Sequence, residues 1–237
     1  IMSQAPLAWS RLLVEGLVIV VSILLAFAID AWWDDRQQAE EAGLQVERVI
    51  AELESNIARL ESQIERLEVT TAAAKRFLSK FGPDPGPVTK TEVAELFDEL
   101  YSSGTIALSR SAAQNFLSTG ILTQGDWLAI RHDLAWLLSY QDVSEKRSVE
   151  LREMRPDISR HAGQHVPLLD TALSHEVMAD YSPSRFPYDP STMFTDMYLE
   201  GLIADFAIRM ELNRFGHQTL LDAHRVLIEK INTMRGL

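Results

Sequence analysis

Apolar residues along the chain fall into three patterns. Residues 12–29 read LLVEGLVIVVSILLAFAI, a run with Glu15 as its one charged residue and long enough to cross a hydrocarbon core of roughly 30 Å as a helix. Beyond it, Val46, Ile50, Leu53, Ile57, Leu60, Ile64 and Leu67 recur by four and three, the spacing of a heptad seam. The remaining apolar positions sit at helical spacing between short breaker segments. No proline interrupts residues 7–81, so one helix is predicted from the leader through the apolar run and the seam. It ends at Gly82-Pro83-Asp84-Pro85-Gly86-Pro87, where prolines forbid further helix.

Shorter helices are predicted next. One covers 91–100. A second covers 109–119, closed by Gly120 in a left-handed cap. Asp126 caps a longer helix from Trp127 to about Met154, with Ile130, Leu134, Leu137 and Leu138 inward, and Pro156 ends it. Residues 157–165 and 168–180 read as two further helices separated by Pro167, and 182–191 as a loop. Residues 192–234 lack proline and carry Leu221, Leu227, Ile228, Ile231 and Met234 at helical spacing, predicting one long final helix. The fold expected is therefore all-α. A transmembrane helix (12–33) after a short cytoplasmic leader (1–11) runs into a stalk (34–81), followed by an antiparallel helical head (82–191) and a long helix (192–237) that packs back on the stalk.

Trp9 before the apolar run and Trp32 and Trp33 after it are separated by about 35 Å of helix, the spacing of interfacial aromatic belts. Arg11 precedes the run and Asp30, Asp34 and Asp35 follow it. The positive-inside bias then places the leader in the cytoplasm and the bulk of the chain in the periplasm. Ala26-Phe27-Ala28 also fits a small-residue cleavage site, so a secretory signal is the alternative. Helical projection puts Glu15, Ser22 and Ala26 on one stripe, a candidate contact with a second membrane helix; Glu15 pairing with Arg11 near the headgroups is the other reading.

Charge sharpens the picture. The 237 residues hold 22 Lys and Arg against 34 Asp and Glu, a formal charge of −12, which disfavours nucleic acid as a partner. The absence of Cys excludes disulfides, thiolate metal sites and cysteine nucleophiles. Acidic residues Glu47, Glu52, Glu54, Glu61 and Glu65 line the first helix, and Arg209, Arg214, Arg225, Lys230 and Arg235 the last. Opposite charge on two long helices predicts antiparallel pairing within the chain, with a parallel homodimer through the Ile/Leu seam as the alternative.

Candidate chemistry is sparse. His161 and His165 share a helical face at i, i+4, and Asp170, His175 and Glu176 follow, so His161, His165 and His175 are the candidate ligands of a zinc site. The segment lacks the glutamate of H-E-x-x-H, Gly163 weakens the helix, and Pro167 interrupts the path to His175; hydrogen-bonded histidines near a helix end are the expectation. The acidic stalk reads as a solvated face, the serines lack a nucleophile elbow, and the Trp127/Trp136 and Phe194/Phe206 pairs have core spacing. No catalytic residue and no cofactor is expected.

Val14-Glu15-Gly16 opening the apolar span, and Asp30-Ala31-Trp32-Trp33-Asp34-Asp35-Arg36 closing it, resemble the N-terminal signature of a group of uncharacterised bacterial single-span proteins defined by a domain of unknown function. Ser111-Ala112-Ala113-Gln114-Asn115-Phe116-Leu117-Ser118-Thr119-Gly120-Ile121-Leu122, ahead of a helix over 128–140, looks like that group's short closed helix. The resemblance implies a bacterial inner-membrane helical protein and brings no activity with it. The expected function is a membrane-anchored scaffold or accessory subunit whose partners are lipid and either further copies of itself or another integral membrane protein. A periplasmic ligand-binding sensor and a metal-dependent hydrolase at His161/His165 are the alternatives.

Overall fold

The computed structural model describes residues 9–120, 122, 125–172, 178 and 180–236, with side chains from residue 15 onward. The described residues include α1 (Trp9–Leu78), α2 (Lys90–Tyr101), α3 (Ser111–Ser118), α4 (Trp127–Ala162), α5 (Leu168–Ala172), the 3₁₀ turn Pro190–Thr195 and α6 (Met197–Arg235), and no strand occurs among them. The chain is all-α, with a long apolar N-terminal helix ahead of a helical bundle.

Helix α1 has 70 residues, about 105 Å at 1.5 Å per residue. Its first part is long and apolar enough to cross a membrane, and none of that apolar window is buried. Burial begins at Ala42. From there the bundle has up-down-up-down order, and side-chain pairs fix each direction. Along α6, Glu211 meets Lys75, Arg214 meets Glu68, Arg225 meets Glu61 and Arg235 meets Glu47, so α6 runs antiparallel to α1. Helix α4 is antiparallel to α6, since Asp133, Gln141 and Ser148 meet Lys230, His224 and Asn213 in turn. The predicted charge pairing between first and last helices is present in part: Arg225 and Arg235 meet Glu61 and Glu47 of the predicted row, Arg214 meets Glu68 outside it, Lys230 binds Asp133 of α4 and Arg209 binds Asp205 of its own helix.

Residues 90–119 form the descending layer. Thr89 caps α2 through its hydroxyl, and beyond Tyr101 the chain has no regular structure until α3. Irregular backbone beside helices lacks helix or ladder partners, so side chains must satisfy it. Gln63 Nε2 donates to Gly104 O at 2.8 Å, an Arg59 guanidinium N–H to Ala107 O at 2.8 Å, and Asn56 brackets Ser109, donating to its carbonyl at 2.7 Å and accepting from its N–H at 2.8 Å. Arg155 of α4 holds the Ser103 carbonyl.

This ladder corrects the predicted seam. Leu53, Leu60 and Leu67 are buried as expected, but the other flank of the buried stripe is Val49, Asn56, Gln63 and Thr70. Ile64 is buried, whereas Ile50 and Ile57 are half-buried beside it. The stripe is rotated toward its polar edge because the irregular segment needs amide partners there. The seam packs against helices of the same chain.

Short α3 is closed by charges from other helices. Glu52 of α1 accepts from the N–H groups of Ala112 at 2.9 Å and Ala113 at 3.0 Å and from the hydroxyls of Ser109 and Ser111. Burial would raise its pKa, but these four donors outweigh it and hold Glu52 below the usual carboxylate range. At the other end Arg131 donates to the carbonyls of Phe116, Leu117 and Thr119, satisfying orphan carbonyls where the dipole is negative. Glu52 is thus a capping group rather than a solvated stalk residue. Gly120 is not a left-handed cap: Thr119 closes α3 in extended conformation.

The breaker at 82–87 holds its place, and Gly82 N–H donates to Phe194 O at 3.0 Å. Pro156 does not end α4, which continues to Ala162. The ring lies on the exposed face, while Leu151, Ile158 and Ala162 are buried on the opposite one; packing of both turns carries the helix across a residue that costs about 3 kcal/mol in isolation. The final helix starts at Met197, five residues later than predicted, after the 3₁₀ turn. Helix α5 is described over Leu168–Ala172, and the rest of the helix predicted to 180 falls largely outside the described residues.

Two apolar clusters fill the bundle. One gathers Phe77, Phe97, Phe194 and Phe206 at the far end, and the other Leu53, Leu60, Phe116, Leu134 and Leu220 nearer the apolar segment. Between α4 and α6 lies a polar layer of Gln141, Ser144, Ser148, Asn213, His217 and His224, all buried. His217 Nδ1–H donates to Asn213 O at 2.9 Å and His224 Nδ1–H to Leu220 O at 2.7 Å. Each Nε2 is thereby left as an acceptor, facing Ser144 and Gln141 respectively. Burial depresses both imidazole pKa values, keeping the rings neutral. Of the predicted aromatic pairs, Phe194 and Phe206 are core, whereas Trp136 is exposed and stacks on Tyr140 at 5.2 Å.

Candidate functional site

Helix α4 ends in a way that brings two imidazoles together. Its last core contacts, Ile158 and Ala162, fix the helix phase, so His161 projects from the face adjoining α6. Gly163 then lets the chain turn closely, since a Cβ there would stand 3.1 Å from the Leu168 side chain. The turn places His165 beside His161, with ring centroids 6.2 Å apart.

The third member comes from another element. Asp196 caps α6, its Oδ1 accepting from Tyr198 N–H at 2.8 Å and Leu199 N–H at 3.1 Å. Its Oδ2 points the other way and accepts from His161 Nε2–H at 2.8 Å and His165 Nε2–H at 2.7 Å. Burial opposes ionisation of Asp196, but His165, Leu199, His161 and Tyr198 outweigh it and hold the pKa near 2. The Tyr198 ring packs on His161 at 4.7 Å between centroids. The three side chains are 17 to 23% exposed, open to a small solute.

The predicted pair His161 and His165 is therefore brought together as hydrogen-bonded residues at a helix end. His175 and Glu176 lie outside the described residues. Asp170 belongs elsewhere, accepting from Ser184 N–H at 2.6 Å and the Tyr188 hydroxyl at 2.7 Å. Burial, and then the Asp170 carboxylate, push the Tyr188 phenol well above its ordinary range. Sequence reasoning alone misses Asp196. Its signal is an acidic residue directly ahead of the helical run Met197-Tyr198-Leu199, read together with the up-down topology that sets the start of α6 against the end of α4.

The membrane-side candidates are placed as follows. Trp32 and Trp33 are exposed, with ring centroids 6.2 Å apart. Trp9 begins α1, and its side chain lies outside the described residues. On the small-residue stripe, Ser22 Oγ donates to Val18 O of its own helix at 2.7 Å, the usual way a hydroxyl is satisfied in an apolar helix. Glu15 and Ala26 lie on the exposed surface of α1. Comparisons with models of known families, with curated proteins and with solved structures give no match to this chain.

Proposed function

We propose that the protein is a scaffold or accessory subunit of a bacterial inner membrane, anchored by the first part of α1 with its leader in the cytoplasm and its bundle in the periplasm. It acts through protein contacts, and the single-span family suggested by residues 14–36 and 111–122 is part of this reading. The observation that supports it is an apolar stripe on the outer face of α6. Ile208, Leu212, Phe215 and Val226 are 61, 57, 67 and 49% exposed and share one side of the helix at i, i+4, i+7 and i+18. They span about 27 Å along the helix, with Thr219 and Asp222 on the same side between Phe215 and Val226, and the opposite side is buried against α1 and α4. Clustered exposed apolar side chains such as Ile208, Leu212 and Phe215 mark a contact with another macromolecule.

Photo-crosslinking in native membranes tests it. A crosslinker replacing Phe215 is expected to give a discrete adduct, either twice the chain mass or the chain plus one integral membrane protein, that a crosslinker at exposed Glu54 does not give. Ile208→Asp should abolish that adduct. Identical labelling from positions 215 and 54 overturns the proposal.

A further inference from the structure

We propose that His161, His165 and Asp196 form a zinc site, with the two Nε2 atoms and Asp196 Oδ2 as ligands and water in the fourth position. Two imidazoles and a carboxylate are a ligand set zinc takes readily, and three protein ligands with an open fourth position form a recurrent zinc geometry. The ligand atoms all lie within 4.8 Å of one another. In tetrahedral coordination at about 2.0–2.1 Å per bond, neighbouring ligand atoms stand roughly 3.3 Å apart. The 2.7 and 2.8 Å separations from Oδ2 to the imidazoles need open by only about half an ångström, which side-chain rotation supplies.

The second carboxylate oxygen makes the site more than a chance cluster. Oδ1 is tied to the backbone of α6 by Tyr198 and Leu199, so Oδ2 is aimed at the imidazoles before any ion arrives. Outer bonds of this kind fix the orientation of a ligand. In the ion-free protein each imidazole carries its proton on Nε2. Zinc takes the Nε2 lone pair of the other neutral tautomer, so each ring's proton moves from Nε2 to Nδ1 by exchange with water, with none released overall, and the three protein–metal bonds replace two hydrogen bonds. Binding would clamp the end of α4 to the start of α6.

The test uses the full chain in mild detergent, stripped with a chelator and titrated with zinc against a chromophoric competitor. The expected result is one tightly held zinc per chain, a Tm that rises with free zinc, and a tetrahedral visible spectrum on cobalt substitution. Asp196→Asn keeps a good helix cap, so its fold survives and circular dichroism should match the parent. Its zinc affinity should nevertheless fall by at least the 10–100-fold that losing even an outer-shell partner costs. His165→Ala should behave likewise, and His132→Ala, at an exposed histidine, should change nothing. Equal zinc uptake by the parent and Asp196→Asn, or no uptake by the parent, overturns the proposal.

Discussion

Phe27 and Phe77 belong to one uninterrupted helix, yet the first is 66% exposed and the second fully buried. The contrast extends to their neighbours. Around Phe27 the helix is apolar on most of its surface and no described residue covers it, a surface able to lie in lipid. Around Phe77 the apolar residues form one face, and Phe81, Phe97 and Phe194 close over it at centroid distances of 5.1 to 5.9 Å. The same backbone thus carries two contrasting surfaces. Even their acids differ in setting: Glu15 lies on the exposed surface, whereas Glu52 takes four hydrogen bonds from the next layer of the bundle.

The sharpest way to break this comparison is to truncate both phenylalanines. Phe77→Ala should destabilise the bundle by about 3–5 kcal/mol, seen as a lower denaturant midpoint. Phe27→Ala should leave that midpoint within about 0.5 kcal/mol. Equal losses would mean that the apolar half also packs on the bundle. Next in size is Glu52→Ala, which strands the N–H groups of Ala112 and Ala113 at a cost of about 1–3 kcal/mol. Because the folded Glu52 pKa lies below its ordinary 4.5, its contribution is complete above that value and fades as pH falls through the folded pKa. Denaturation of Glu52→Ala and the parent should therefore converge in strong acid.

The smallest effect concerns the wall facing the buried half of α1. His217 and His224 have pKa values depressed below 6.5 by burial. The unfolded chain binds more protons below that value, so stability falls as pH drops from 6.5 toward the folded pKa values, by at most about 1.4 kcal/mol per pH unit for each ring. Equilibrium unfolding of the His217→Gln/His224→Gln variant should show a flatter pH dependence across that window. A parent-like slope would assign the acid sensitivity to other groups.

Much of the architecture was legible because it depends on local rules. The span of α1 follows from the absence of proline, its end from the Gly-Pro run, and the antiparallel partner from the Glu and Arg rows. What stayed hidden depends on distant segments. Asn56 and Gln63 look like surface residues of a coiled coil until an irregular segment is laid beside them. Pro156 looks like a stop until Ile158 and Ala162 are seen in the core. His161 and His165 were visible as a pair by spacing, but Asp196 arrives from another helix, and no local pattern links the three.

The amide ladder from α1 to residues 104–109 has a consequence for how the layers are aligned. Grease tolerates sliding, because one methyl group is much like the next. A residue gripped on both its N–H and its C=O by Asn56 does not, since a shift of one position would turn the N–H and C=O of the neighbouring residue away. The rod therefore works as a ruler for the strap lying on it, and the tally marks are carboxamides.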